Sequence, residues 1–333
     1  MNYVNEDIVV RNRITITNQL QEIGLEEVRK EILEGLLAEH KYISSKYFYN
    51  QAGSILFEKI TRLEEYYPTR TEKAILKSIA PGLMERYGTY DIVELGPGDH
   101  SKISILLQAA TELDLGKMRY LPLDISAPAL ENSAERLVNT FPTVHVEAYA
   151  LDFITQFEAV EQERPALICF FGSTIGNFEW EASLDLLRNI SRSMKKDDVL
   201  LLGMDLVKPE KVLHAAYNDA KGVTEAFNLN ILNSVNDLIH ADFDPDDFEH
   251  LAYYNKVHSR MEMHLLSRKK LRISSEYSRR DILIEKGESI HTENSHKYSR
   301  DHIQNMVEAT GLQLVQIHTD ERSWFALTEL VKG

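Results

Sequence analysis

The chain has 333 residues, 43% of them hydrophobic and 27% charged, enough apolar material for more than one core, which excludes a lone small module and a disordered chain. Lys and Arg number 37 against 52 Asp and Glu, a formal charge of -15. Most of the surface therefore repels phosphate backbones and anionic headgroups, and neither nucleic acid nor membrane is an expected partner.

The single cysteine, Cys169, excludes an internal disulfide and a multi-thiolate zinc site and fits a reducing, cytoplasmic compartment. It lies in an apolar run, LICFF, with no base or positive charge to activate a thiol, so it reads as core and not as a nucleophile. No stretch approaches the roughly 18 apolar residues of a membrane span, and the start, MNYVNEDIVV, lacks the basic-then-apolar layout of a signal peptide.

In chain order, residues 17–40, 50–63 and 71–86 carry apolar side chains at helical intervals, so the opening is predicted helical. At Tyr90 the texture changes to YDIVELGPGD, a short apolar run ending in a glycine turn, the pattern of a buried parallel strand entering a helix. The same texture recurs at 118–126, 144–153, 166–174 and 198–206, each separated by a helix-length segment, which predicts an α/β doubly wound parallel sheet. After Asp205 the pattern breaks into a helical stretch. Residues 252–265 and 270–285 then alternate as antiparallel strands would, and helix and strand return at the end. The expected division is a Rossmann-like core of 71–207 plus 298–333, with 1–70 plus 208–297 as a second, α+β lobe over the open end of the sheet.

Ligands of such sheets sit at the carboxyl ends of the strands. The candidate site is therefore Glu94-Leu-Gly96-Pro-Gly98-Asp99, where glycines let the backbone approach a ligand. Residue 101 is Ser, so the dinucleotide fingerprint is incomplete and a nicotinamide oxidoreductase is disfavoured. One strand on, Asp124 can take both hydroxyls of a ribose. Another strand on, Asp152 can accept from an adenine amino group while Phe153 covers the base. Glycine turn, ribose acid and adenine acid in register point to S-adenosylmethionine, whose lack of phosphates removes the need for a basic grip. Lys102 reads either as a solvated helix lysine or as a contact to the cofactor carboxylate.

The blocks 46–72 (KYFYNQAGSILFEKITRLEEYYPTRTE), 93–102 (VELGPGDHSK), 170–178 (FFGSTIGNF), 216–232 (AYNDAKGVTEAFNLNIL), 261–265 (MEMHL) and 292–298 (TENSHKY) carry a resemblance over nearly the whole chain. With them the chain resembles the histidine-specific, S-adenosylmethionine-dependent methyltransferases of ergothioneine biosynthesis. The resemblance implies a methyltransferase core, a substrate-binding lobe, and trimethylation of the α-amino nitrogen of free L-histidine to hercynine. It also implies substrate carboxylate on Asn177 and Tyr217 with the backbone of Gly172 nearby, Tyr49 beside the amine as the catalytic group, and Tyr66 on the imidazole side. Glu293 and Ser295 would hold the imidazole, with Met263 packed beside it.

Elementary chemistry agrees with that last assignment. Leaving an imidazole nitrogen unpaired in a closed pocket costs about 1–3 kcal/mol, and a carboxylate and a hydroxyl two residues apart can satisfy both nitrogens. Taken singly the same residues have duller readings: Asn177 as a turn residue, Met263 as core filler, Glu293 and Ser295 as solvated loop.

His291 and His296 lack the spacing of a helical zinc site, and 241–250 (ADFDPDDFEH) departs from a calcium loop at Pro245, Asp247 and Tyr253, so no metal is expected. Two rivals remain: a relative that methylates tryptophan or another aromatic amino acid, which an apolar residue in place of Glu293 would favour, and an idle binder of S-adenosylmethionine or histidine.

Overall fold

A computed structural model describes residues 7–11, 13–20, 24–160 and 164–333. The chain divides into two compact units. The first holds the described residues up to 20, Thr71–Leu206 and Tyr298–Gly333; the second holds 24–70 and Val207–Lys297.

The first unit is built on a nine-stranded sheet. Its strands are β1 (Asp7–Arg11), β2 (Ile14–Asn18), β3 (Asp91–Leu95), β4 (Arg119–Asp124), β5 (His145–Ala150), β6 (Ala166–Phe170), β7 (Val199–Asp205), β13 (Leu312–Thr319) and β14 (Phe325–Lys332). They lie in the order β1-β2-β5-β4-β3-β6-β7-β14-β13. The six strands from β2 to β7 run parallel, while β1, β14 and β13 pair antiparallel at the edges. The predicted α/β fold is thus observed. The chain winds from β3 through β4 to β5 in one direction and resumes at β6 on the other side of β3, so the switch point falls between β3 and β6.

Alternation of side chains along each strand sends neighbours to opposite faces, and the two faces carry separate cores. Ile92, Leu167, Cys169 and Leu201 belong to one; Val93, Ile168, Phe170 and Leu202 belong to the other. Burying each such aliphatic side chain is worth about 1.5–3 kcal/mol. Cys169 is fully buried, and desolvation, followed by the charges of Glu94 and Glu72, pushes its thiol pKa well up. It is core, as expected.

One expectation needs correction. The N-terminal segment does not open the second lobe as helix: β1 and β2 join the sheet, β2 alongside β5, and the first helix begins only at Leu25. Ile14 and Ile16 alternate into the core, a period of two that a window starting at residue 17 misses.

The second unit contains the helices Leu25–Leu37, Gln51–Ile60, Glu210–Tyr217 and Val223–Ile239. Its strands are β8 (Phe248–Asn255), β9 (Arg260–Ser267), β10 (Leu271–Ile273), β11 (Ile282–Ile284) and β12 (Ser289–His296). β12, β9 and β8 form an antiparallel sheet, and β10 pairs with β11. Glu293 and Ser295 therefore stand on a strand and not in a loop. The helix Tyr67–Tyr87 carries the chain from the second unit into the first. No helix among the described residues is long and apolar enough to cross a membrane.

Candidate active site

In the first unit the glycine turn follows β3 at the switch point, where open sheets bind ligands. Gly96 and Gly98 have φ of 60° and 57°, the left-handed region that favours glycine. Gly96 N–H donates to Leu123 O at 2.8 Å, tying the turn to β4. A side chain at Gly98 would meet nothing within 4 Å, so the turn faces open space. Beneath it Glu94 is 1% exposed and accepts from the Tyr120 hydroxyl at 2.6 Å. Burial drives its carboxyl up to about 8 against the opposing pull of Tyr120 and Lys102. Its bond to Tyr120 ties the end of β3 to β4 just ahead of the turn.

Asp124 ends β4. It stays part-exposed, and its Oδ1 accepts from Ser126 N–H at 2.9 Å. Desolvation raises its pKa despite that bond and one from Ile125. Asp152 follows β5 and caps the turn Phe153–Gln156 through Ile154 N–H at 2.9 Å. Phe153 packs edge-on to Phe170 with centroids 5.7 Å apart, and its ring edge lies 3.8 Å from where a Gly96 side chain would start. Two partly accessible carboxylates, both acceptors, and a ring edge thus flank the turn, a set that fits the hydroxyl and amino donors of an adenosine.

Lys102 stands at the N-cap of the helix Ile103–Ala109 and pairs with Glu72 at 2.8 Å. Glu72, fully buried, also accepts from Gly172 N–H through both oxygens, at 2.8 and 3.0 Å. This acid escaped the residue-by-residue sequence reading; its only signal was its place as the last residue of the 46–72 block. It fixes the loop after β6, where Gly172 (φ 80°) and Ser173 (φ 56°) are left-handed and Ser173 Oγ accepts from Asp205 N–H at 2.8 Å. That loop ends in the 3-10 turn Thr174–Asn177. Among the described residues the half-buried Asn177 carboxamide makes no hydrogen bond, so it is not spent on capping the turn.

In the second unit Tyr49 and Tyr66 gather on one aromatic cluster. Both sit edge-on to Phe57, at 5.7 and 6.3 Å, and Tyr49 also meets Phe227 at 6.0 Å. Tyr49 keeps 48% exposure. Asn50 caps the helix Gln51–Ile60 through Gly53 N–H and accepts from Asn230, which ties this helix to Val223–Ile239.

A second group lies on β12. Register places Glu293 opposite Met263 and Ser295 opposite Met261. Tyr217, the last residue of its helix, donates to Ser295 Oγ at 2.6 Å, and Lys297 Nζ donates to the same oxygen at 2.7 Å. Glu293 is part-exposed, and among the described residues no group hydrogen-bonds its carboxylate. Desolvation raises its pKa to about 7, with Lys297 pulling the other way. Lys297 is the second residue the sequence reading missed, although it lies inside the 292–298 block. Asn294 points to the other face and joins its carboxamide oxygen to His291 Nε2 at 2.9 Å.

A model of the histidine-specific, S-adenosylmethionine-dependent methyltransferases matches residues 28–332. The chain belongs to this family. It is an S-adenosylmethionine-dependent methyltransferase. The enzyme is 35% identical to a histidine N-alpha-methyltransferase of Mycolicibacterium smegmatis, over 92% of this chain and 95% of that one. It is 33% identical to a histidine N-alpha-methyltransferase of Mycobacterium tuberculosis, over 96% of this chain and 100% of that one. An L-tryptophan methyltransferase of Psilocybe serbica is 26% identical, over 91% and 92%.

Proposed function

We propose that this methyltransferase transfers three methyl groups from S-adenosylmethionine to the α-amino nitrogen of free L-histidine, giving hercynine, the first step of ergothioneine formation. The observation that carries this reading is Glu293, an accessible, unbonded carboxylate beside a hydroxyl two residues on, which is the complement of a neutral imidazole. An indole has a single N–H and no acceptor nitrogen, so it would leave one of these two groups unpaired at a cost of about 1–3 kcal/mol. Family membership and the two mycobacterial relatives support the same substrate.

The cofactor falls to the turn of Gly96 and Gly98, with Asp124 on the ribose hydroxyls, Asp152 on the adenine amino group and Phe153 over the base. When bound, S-adenosylmethionine supplies a methyl carbon activated by a sulfonium. Gly172 N–H is committed to Glu72, so that backbone acts by shaping the loop that presents Asn177. The Asn177 carboxamide has donors to offer a carboxylate. Lys102 is held by Glu72, and in this reading it sets the charge near the turn.

Near pH 7 an α-amine is largely protonated and must shed a proton before its lone pair can attack. Tyr49, exposed at the edge of its aromatic cluster, is the group proposed to orient that nitrogen. No covalent enzyme intermediate is needed: alignment of nucleophile and methyl carbon is the main task. The reaction stops at three methyls because a quaternary nitrogen has no lone pair. The same reading takes the cytoplasm as the compartment and a small molecule, not nucleic acid or membrane, as the partner.

The test is incubation of the purified enzyme with S-adenosylmethionine and each of the twenty amino acids, followed by mass measurement. Histidine alone should gain three methyls; gain on tryptophan instead, or on none, refutes the reading.

A further inference from the structure

Lys297 is 1% exposed, and a buried ammonium is costly unless its protons are used. Its Nζ donates to Ser295 Oγ at 2.7 Å and to Tyr217 Oη at 3.1 Å, and it lies 5.1 Å from the centre of the Tyr217 ring. The Tyr217 hydroxyl in turn donates to Ser295 Oγ at 2.6 Å. A serine hydroxyl has two lone pairs and one proton. Here both lone pairs are taken, and among the described residues the proton has no acceptor.

We infer that Lys297 is a specificity-determining positioning residue: by filling the lone pairs of Ser295 together with Tyr217, it fixes that hydroxyl as a donor, next to Glu293 as an acceptor. The inference rests on the proposed histidine substrate. Glu293 and Ser295 are spaced by two on β12, the period that puts strand residues on one face, and Lys297, just past the end of the strand, reaches the same hydroxyl with its ammonium. One ring N–H then goes to Glu293, and the lone pair of the other nitrogen receives the Ser295 proton. Without the ammonium, one lone pair of Ser295 is left open, and the hydroxyl can present that acceptor to the ring, so that the site offers two acceptors in place of one acceptor and one donor.

Lys297→Met, Lys297→Gln, Lys297→Arg, Ser295→Ala and the double variant Lys297→Met/Ser295→Ala are compared with the unsubstituted enzyme for histidine KM, kcat and S-adenosylmethionine affinity. Lys297→Met should raise the histidine KM at least tenfold, with kcat changed less than threefold and cofactor affinity less than twofold. Lys297→Arg, which keeps charge and donors, should recover part of the loss. In the Ser295→Ala background Lys297→Met should add less than a further twofold, because residues acting through one another are not additive.

Additive losses, an unmoved KM, or equal loss of cofactor and histidine binding would overturn the inference. So would failure to bind cofactor with Met, Gln and Arg alike, which would make Lys297 structural. Turnover of histidine by the unsubstituted enzyme, measured first, reports separately on the proposed function.

Discussion

With its carboxyl raised to about 7 by desolvation, Glu293 is about half ionised at neutral pH, about nine-tenths at pH 8 and about one-tenth at pH 6. Only the anion is a pure acceptor for an imidazole N–H, so histidine binding should be full above pH 8 and fade as pH falls through 7. The histidine KM is expected to rise about tenfold from pH 8 to pH 6. In Glu293→Gln it should be high throughout and lack that dependence. Protonation of the substrate itself affects both enzymes alike, so the ratio of their KM values isolates Glu293, and a constant ratio would dismiss it. At the cofactor end, Asp124→Ala should weaken S-adenosylmethionine binding by at least tenfold in a calorimetric titration while leaving histidine affinity at saturating cofactor within about twofold. An unchanged cofactor affinity would remove Asp124 from the ribose.

The turn after β3 and the loop after β6 depend on packing that two substitutions can probe. A side chain at Gly203 on β7 would collide with Glu72 Oε1 and start 3.4 Å from the Phe325 ring. Gly203→Ala should therefore displace the carboxylate that holds Gly172 and Lys102, costing about 1–3 kcal/mol in a thermal or denaturant melt along with cofactor affinity. Glu94 offers a test in pH. Burial lifts its pKa from 4.5 to about 8, so its neutral form is the one the fold prefers. Its contribution to stability is whole below the unfolded value of 4.5 and is lost as pH rises to the folded value. Glu94→Gln keeps an acceptor for Tyr120 and removes the titration, so the melting temperature of the variant relative to the parent should rise between pH 6 and pH 9. A parallel pair of curves would place the Glu94 titration elsewhere.

Across the whole molecule, the parallel strands were legible because each is a short apolar run closed by a turn, and the Gly96 turn because glycine marks a left-handed backbone. β1 and β2 were not, since five-residue strands show too few alternations to stand out beside a longer helical pattern. Glu72 was hidden for a different reason: its partners Lys102 and Gly172 lie 30 and 100 residues away, and no local pattern announces a contact of that range. Lys297 looked like one more charged residue in a polar run, and only its hydrogen bonds to Ser295 and Tyr217, the latter 80 residues away, show its place in the site. The site residues the resemblance implied fall partly in each unit, with Gly172 and Asn177 in the first and the tyrosines, Met263, Glu293 and Ser295 in the second. Which nitrogen of histidine is methylated can be read from a reaction with carbon-13 methyl-labelled S-adenosylmethionine, followed by NMR of the product. Trimethylation of the α-nitrogen should give a single nine-proton labelled methyl resonance correlated with the α-carbon and an unmodified imidazole; label on a ring nitrogen, or histidine left unlabelled, would refute it.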